Sequence, residues 1–372
     1  MIASILHAGS AAGVLGRYVN IPVKIMNILT FPILHMLADG RFHSGEAMAA
    51  HFKVTRSTIW NALQDAEALG VQVFSVPGRG YKLPQPLVLL DKAEVLSAIG
   101  EQRAWFNLEI HDQLESTNTY LMKQASSNAS AGYSAGYSAA AAHATCVVAE
   151  LQTRGRGRRG RSWQAALGAS LTFSLLWRFQ CGASALSGLS LAVGVAMIRA
   201  LRETGLAEAK LKWPNDVVVT VNGQAGAYHK LAGILIELQG DMEGPSAAVI
   251  GIGVNLKLPE QVRRHIDQPV TDMATLMQTT INPNTLLGVL LKHLAVVLSE
   301  FERNGFDNLR AEWLQYHAYQ NEPVRLIMPD GRELQGIAYG VAADGVLLVK
   351  TPHGEQRFSS GEISLRGVAG ND

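Results

Sequence analysis

Between two apolar runs, Ala144–Leu151 and Ser170–Trp177, the chain carries Arg154-Gly-Arg-Gly-Arg-Arg-Gly-Arg161, five arginines and three glycines in eight residues. The flanking runs read as buried strands, so this charge is confined to a loop between them. A disordered Arg-Gly tract is not usually bracketed in this way. Gly155, Gly157 and Gly160 let the backbone approach a ligand closely. Arg154, Arg156, Arg158, Arg159 and Arg161 supply guanidinium forks that grip phosphates or carboxylates bidentately. No Gly-Lys-Ser/Thr follows, so this is not a Walker A loop, and the glycines do not open a helix as in a dinucleotide fingerprint.

The surrounding pattern gives the fold class. Further strands are expected at Phe106–Ile110, Asp216–Val221, Leu231–Leu238 and Ala247–Leu256, and helices at Ser187–Thr204 and Asn284–Asn304. In the last, Leu287, Leu290, Leu291, Leu294, Leu298 and Phe301 share one face. Some strands are joined by turns, Asn222-Gly223 among them, and others by helices, which favours a mixed sheet over a doubly wound parallel one. At 372 residues the chain is long enough for two or three domains. The expected division is an N-terminal extension at 1–22, poorly ordered or preceding the true start; a winged helix at 23–85; a catalytic domain at 86–320; and a small β-barrel at 321–372. The low-complexity stretch 125–144, with its tandem Ser-Ala-Gly-Tyr, reads as a flexible insertion. In the last domain, Pro323–Met328, Leu334–Val341, Gly345–Lys350 and Glu355–Arg366 are the β-rich runs.

Residues 23–84 spell short helices and then a hairpin turning at Pro77-Gly78. Ser44 and Thr55 are N-cap residues, and Gly40 and Gly70 are stops. Arg56, Ser57, Thr58 and Asn61 open the third helix, where a recognition helix meets base edges, and Arg79 and Lys82 on the wing could hold phosphates. The net charge of +1 provides no global field for nucleic acid, so a monomer would bind weakly and a dimer on two half-sites would be needed.

Apolar residues make up 48% and charged residues 17%, which excludes a disordered charged protein. Cys146 and Cys181 are too few for a disulfide framework. The most apolar stretch, Ile2–Leu34, is broken by His7, Arg17, Asn20 and Lys24, so no membrane span is expected and the cytoplasm is the expected compartment. No zinc spacing and no nucleophile elbow occurs.

Three more segments carry polar chemistry. Lys212-Trp-Pro-Asn-Asp216 and Lys230-Leu-Ala-Gly233 each put a lysine beside an apolar strand, a costly placement unless it meets an anion. Asp216 could offer an oxygen to Mg²⁺. Ser116-Thr-Asn118, with Gln152, could hydrogen-bond a neutral group such as a ureido. Gly251-Ile-Gly-Val-Asn255 closes an apolar strand and implies close backbone packing.

These motifs, in this order, resemble the biotin–protein ligases, and specifically the bifunctional bacterial type that also represses the biotin operon. Phe358–Arg366, His43–Glu46 and Val76–Tyr81 extend the likeness to about Met26–Val368. The resemblance implies an α+β multidomain architecture: a winged helix-turn-helix, a class II aminoacyl-tRNA-synthetase-like mixed sheet with helices, and an SH3-like barrel. It implies that biotin and ATP, with Mg²⁺, give biotinyl-5′-AMP, and that biotin passes to a lysine of the apo biotin carboxyl carrier protein of acetyl-CoA carboxylase. Arg158 and Lys230 would be catalytic. Ser116, Thr117, Asn118, Gln152, Arg156, Gly157, Arg158 and Lys230 would bind biotin. Arg156, Arg158, Arg159, Arg161, Lys212, Asn215 and Asn255 would bind ATP or the adenylate, and Asp216 the metal. Met273 stands where relatives can place an aromatic residue against the adenine. Homodimerisation on adenylate binding and operator recognition through Arg56, Ser57, Thr58, Asn61, Arg79 and Lys82 would follow. A ligase-inactive biotin sensor and a lipoate or octanoate ligase of the same fold are the alternatives.

Overall fold

The computed structural model describes residues 26–84, 87–130, 144–221, 226–240, 243–328, 330–359 and 364–367. The expected extension at 1–22, the turn at Asn222-Gly223 and most of the expected insertion lie outside these residues.

The N-terminal unit packs α1 (Thr30–Leu37), α2 (Gly45–Phe52) and α3 (Arg56–Ala68) beside a hairpin of β1 (Phe74–Val76) and β2 (Gly80–Lys82). Ser44 and Thr55 cap as their chemistry dictates: Ser44 Oγ accepts from Ala47 N–H at 3.0 Å and Thr55 Oγ1 from Thr58 N–H at 3.2 Å. The first helix starts later than the apolar spacing from Ile25 predicts. Asn27 precedes it in a turn, its side-chain Oδ1 accepting from Leu29 N–H and its own backbone N–H donating to Asp65. Ile33, Leu34, Leu37, Met48, Ile59, Leu63 and Leu83 form a core of their own.

The central unit runs α4 (Lys92–Ile99), β3 (Phe106–Leu114), α5 (Thr117–Ser130), β4 (Ala144–Gln152), β5 (Ser170–Phe179), α6 (Leu189–Glu203), β6 (Lys210–Lys212), β7 (Asp216–Thr220), β8 (Tyr228–Gly240) and β9 (Ser246–Asn255). Then come α7 (Glu260–Arg263), α8 (Met273–Met277), α9 (Pro283–Asn304) and α10 (Asp307–Tyr316). The seven strands lie in the order β3-β4-β5-β9-β8-β7-β6, with β3–β4 parallel and every other pair antiparallel. Because α5 extends to Ser130 and buries Ala125, the stretch read as an insertion begins inside a helix.

The two faces of the sheet have different work. Along β9, Ile250, Ile252 and Val254 enter the main core with α6 and α9. Val249 joins a smaller core under α5, and Gly251 and Gly253 alternate with it on that face. Helix α9 is long and apolar enough to cross a membrane, but it is mostly buried, packed chiefly against α6 and α4, as a core helix is.

The C-terminal unit is a five-stranded antiparallel sheet of β10 (Glu322–Ile327), β11 (Glu333–Val341), β12 (Leu347–Thr351), β13 (Gly354–Phe358) and β14 (Ser364–Gly367), ordered β13-β12-β11-β10-β14. The run read as Glu355–Arg366 is two strands at opposite ends of this sheet. Its core is continuous with that of the central domain. Trp213 Nε1 donates to Gly345 O at 3.1 Å, Ser187 Oγ to Asp344 O at 2.5 Å and Tyr228 OH to Ala318 O at 2.8 Å. The segment from Lys212 to Asp216 is thus braced by the C-terminal sheet.

The winged helix meets the central domain through Leu87 and Leu167, which pack on its core, and through His35 and Asp112, 3.4 Å apart. Beside this junction, Glu150 is buried and accepts the Leu90 N–H at 2.5 Å. Burial pushes its carboxyl up to about 6, with the Leu90 hydrogen bond opposing. A carboxyl raised above its unfolded value favours the fold while protonated, and that contribution is lost as pH rises through about 6. Glu150→Gln keeps the carbonyl acceptor and removes the charge. We expect it to gain about 2 kcal/mol at pH 8 relative to its effect at pH 4.5, measured by urea unfolding at both values.

Candidate active site

Strand β4 ends at Gln152, and its side chain turns back to the start of α5. Gln152 Oε1 accepts Thr117 N–H at 2.7 Å and Thr117 Oγ1–H at 3.1 Å. Thr117 Oγ1 lies 2.7 Å from Ser174 Oγ, which donates to Asn118 Oδ1 at 2.5 Å. Asn118 Nδ2 donates to Leu235 O at 3.2 Å and to Glu237 Oε2 at 3.0 Å. Ser116, Thr117 and Asn118 are buried, so this polar chain, rather than helix capping alone, explains the triplet.

The glycines of β8 and β9 make the space. A Cβ on Gly251 would stand 2.1 Å from Asn118 Oδ1, and one on Gly253 would stand 2.5 Å from the Trp163 ring. Gly233 faces Lys230 and Trp163 less tightly, a Cβ there standing 3.1 Å from the Lys230 side chain. The arginine loop returns over this bare surface as a tight turn. Trp163 N–H donates to Gly155 O at 2.9 Å and Gly157 N–H to Arg161 O at 2.7 Å, while Arg159 holds φ 56° at the tip.

The result is one open cleft, lined by Ser116, Thr117, Asn118, Gln152, Arg156, Gly157, Arg158, Trp163, Asn215, Lys230 and the three glycines, among others. Arg158 Nη1 donates to Asn215 Oδ1 at 2.9 Å, and Asn215 Nδ2 to Ile234 O at 2.7 Å. Burial, and then the charge of Arg159, hold the Arg158 guanidinium below its ordinary value, a crowding that an anion would relieve. A bulge in β8, where Val217 faces Ala232 but Val218 faces Lys230, sets the lysine at the cleft. Its ammonium is 2.8 Å from Asp216 Oδ1 and 5.6 Å above the Trp163 ring. On its other side a smaller pocket is lined by Lys212, Asp216, Tyr228 and Lys230.

Other expected residues stand elsewhere. Arg159 and Arg161 are exposed at the loop tip. Asn255 is buried, its amide donating to Thr271 O at 3.0 Å and to Lys230 O at 3.4 Å, so it fastens the backbone under Lys230 rather than lining the cleft. Met273 is wholly buried in the main core. Asp216 holds Lys230, and among the described residues no group of three acidic, His or Cys side chains could hold a metal ion. One carboxylate fits Mg²⁺ arriving on a triphosphate, not a protein cage.

On the winged helix, Arg56, Ser57 and Asn61 are exposed along α3, while Thr58 is half-buried with its hydroxyl 2.9 Å from that of Thr55. Arg79 stacks 4.2 Å from the Phe42 ring centroid and Lys82 lies 5.7 Å from it. Sequence reasoning missed Trp60, which is exposed on the same face of α3, Trp163 in the cleft, and Glu237 behind it, bonded to Asn118 and Arg156. Trp163 ended the arginine motif and was the available signal for its role; Glu237 in its apolar strand gave none.

Gly251→Ala is expected to cost about 1–3 kcal/mol in denaturant unfolding, because Asn118 is locked on both sides and cannot retreat.

Three family models match the chain: the biotin/lipoate A/B protein ligase family over residues 112–255, the biotin protein ligase C-terminal domain over 320–366, and an HTH domain over 30–82. The bifunctional ligase/repressor BirA of Escherichia coli K12 is 33% identical over 346 residues, covering 92% of this chain and 98% of its own. Its Bacillus subtilis counterpart is 26% identical over 332 residues, 88% of this chain and 95% of its own. Among solved structures, biotin protein ligase from Aquifex aeolicus in complex with biotin and ATP matches with a TM-score of 0.54 and 28% identity, over 70% of this chain and 99% of that one. The chain belongs to the biotin protein ligase family, in its bifunctional ligase/repressor form.

Proposed function

We propose that this chain activates biotin with MgATP to biotinyl-5′-AMP, releasing pyrophosphate, and then transfers biotin to a lysine of the apo biotin carrier domain of acetyl-CoA carboxylase. The observation that carries this is the single cleft in which the Gln152–Thr117–Ser174–Asn118 chain, the arginine loop and Lys230 converge.

The polar chain suits the ureido head of biotin, which offers both donors and an acceptor. Biotin's carboxylate must then approach a triphosphate, and the two anions repel each other. Arg156, Arg158 and Lys230 bring positive charge to the point of contact, where it stabilises the charge gathering on the pentacoordinate phosphorus. A carboxylate oxygen bonds the α-phosphorus as the bond to pyrophosphate breaks. The acceptor lysine's amine next attacks the acyl carbon, AMP leaves with the C–O electron pair, and the amine gives up a proton. No nucleophile from the enzyme is needed. Asn215 orients Arg158, Asp216 orients Lys230, and Lys212, 5.8 Å from the Tyr319 ring, flanks the second pocket on the phosphate side. The loop and Trp163 shield the mixed anhydride from water.

Incubation with biotin, MgATP and an apo carrier domain should add a single biotinyl mass to the carrier. Arg158→Ala or Lys230→Ala is expected to lower the rate about 10²–10³-fold. No gain in mass, with biotin still raising the melting temperature, would favour a sensor without ligase activity. Modification by lipoate or octanoate would favour the other relative.

We further propose a cytoplasmic repressor that dimerises when adenylate-bound and places α3 in the major groove of operator half-sites. Arg56, Ser57, Asn61 and Trp60 are the base-facing candidates, and Arg79 and Lys82 the phosphate contacts. Arg56→Ala should weaken operator binding by about 1–3 kcal/mol, and Arg79→Ala should reduce the salt slope by about one, both read by fluorescence anisotropy. Sedimentation that shows no effect of the adenylate on dimerisation would overturn the coupling.

A further inference from the structure

Glu237 has no part in the chemistry above and does not line the cleft, yet its carboxylate engages two residues that do, Arg156 and Asn118. Strand β8 places it on the α5 face, two residues beyond Leu235. Oε1 lies 2.9 Å from Arg156 Nη2, and Oε2 takes a bond of 3.0 Å from Arg156 Nη1 and another of 3.0 Å from Asn118 Nδ2. Arg156 is thus gripped through both terminal nitrogens by both oxygens. The Glu237 side chain is only 22% exposed, so water screens this pair less than it screens Arg154–Glu115, where both side chains are more than 60% exposed.

The pair ends a continuous polar path. From Gln152 it passes through Thr117, Ser174 and Asn118 to Glu237, and from there to Arg156. Its first members form the floor of the head-group site, and its last stands on the rising limb of the arginine loop. The limb is also held by Gly157 N–H to Arg161 O and Trp163 N–H to Gly155 O within the loop, by Arg154 N–H to Glu115 O and the Arg154–Glu115 ion pair at its root, and by Arg156 Nη1 to Thr119 Oγ1 of α5 at 3.5 Å. Beyond it, Arg158 reaches Asn215. Glu237 therefore fastens the limb directly to the sheet, through both terminal nitrogens of Arg156.

We propose that Glu237 is a positioning residue, a latch that ties the arginine loop to the floor of the head-group site and so governs how long the adenylate stays under the loop. It acts through Arg156 and Asn118. The latch stands on its own geometry, and its consequence for adenylate retention rests on the ligase reading.

The test uses the full-length protein. Without ligand, limited trypsin digestion followed by mass spectrometry reads cleavage after Arg154, Arg156, Arg158, Arg159 and Arg161. Glu237→Gln should speed cleavage there by about tenfold, the scale of one lost charge-assisted bond on local opening. The reversed pair Glu237→Arg with Arg156→Glu should restore much of the protection. In stopped-flow fluorescence, Glu237→Gln should release the adenylate about tenfold faster while biotin affinity stays within about threefold, because the amide oxygen still accepts from Asn118. Cleavage at the wild-type rate, or equal loss of biotin and adenylate affinity, would overturn the latch. A wild-type protein that forms no adenylate would refute the ligase reading, and the tryptic rates would still decide the latch.

Discussion

The cleft exists because three positions on two central strands have no side chain. Gly233, Gly251 and Gly253 leave a bare patch on the α5 face of the sheet, and Asn118 and Trp163 lie directly on it. A Cβ on Gly251 or Gly253 would push out Asn118 or Trp163, and one on Gly233 would crowd Lys230 and Trp163. Everything else in the site is arranged around that patch: the head-group chain on one side, the arginine turn above, and the bulged strand bearing Lys230 on the other. Burial of the opposite face against α6 and α9 keeps the strands rigid enough for such close contacts to be reproducible.

Electrostatics explains why the basic groups cluster. Five arginines in eight residues repel one another, and Arg158 is held below its ordinary value by burial and by its neighbour Arg159. The loop is not neutralised wholesale. Glu237 takes Arg156 and Glu115 takes Arg154, while Arg158 donates to the Asn215 amide and feels the charge of Asp216. Lys230 balances Asp216, a pairing that fixes its ammonium between two pockets. The winged helix has a separate core and meets the catalytic domain at a small junction. Leu167, which packs on that core, lies four residues beyond Trp163, so the loop and the DNA-binding unit share one short segment of chain.

Much of this was legible in the sequence, because the strands obey simple periodicity. Ala144–Leu151, Ser170–Trp177 and Ala247–Leu256 appear within a few residues of their expected bounds, and Leu287–Phe301 buries the expected face of α9. The caps at Ser44 and Thr55 were equally readable, since a short hydroxyl before a helix has one obvious use. What escaped depends on pairing across the chain. Asn255 looked like a ligand residue, but its neighbours in space are backbone carbonyls at 230 and 271. Glu237 carried no signal within its apolar strand, and only the return of the arginine loop over it brings Arg156 to its carboxylate. Glu355–Arg366 looked continuous, and only the strand order separates its halves.

The central claim is that the cleft joins a biotin carboxylate to the α-phosphate of ATP. Exchange of labelled pyrophosphate into ATP by the purified chain, with no carrier protein present, tests that step alone. Exchange that requires biotin together with MgATP is the expected result. Exchange supported by lipoate or octanoate but not by biotin, or no exchange while biotin still binds, would contradict it.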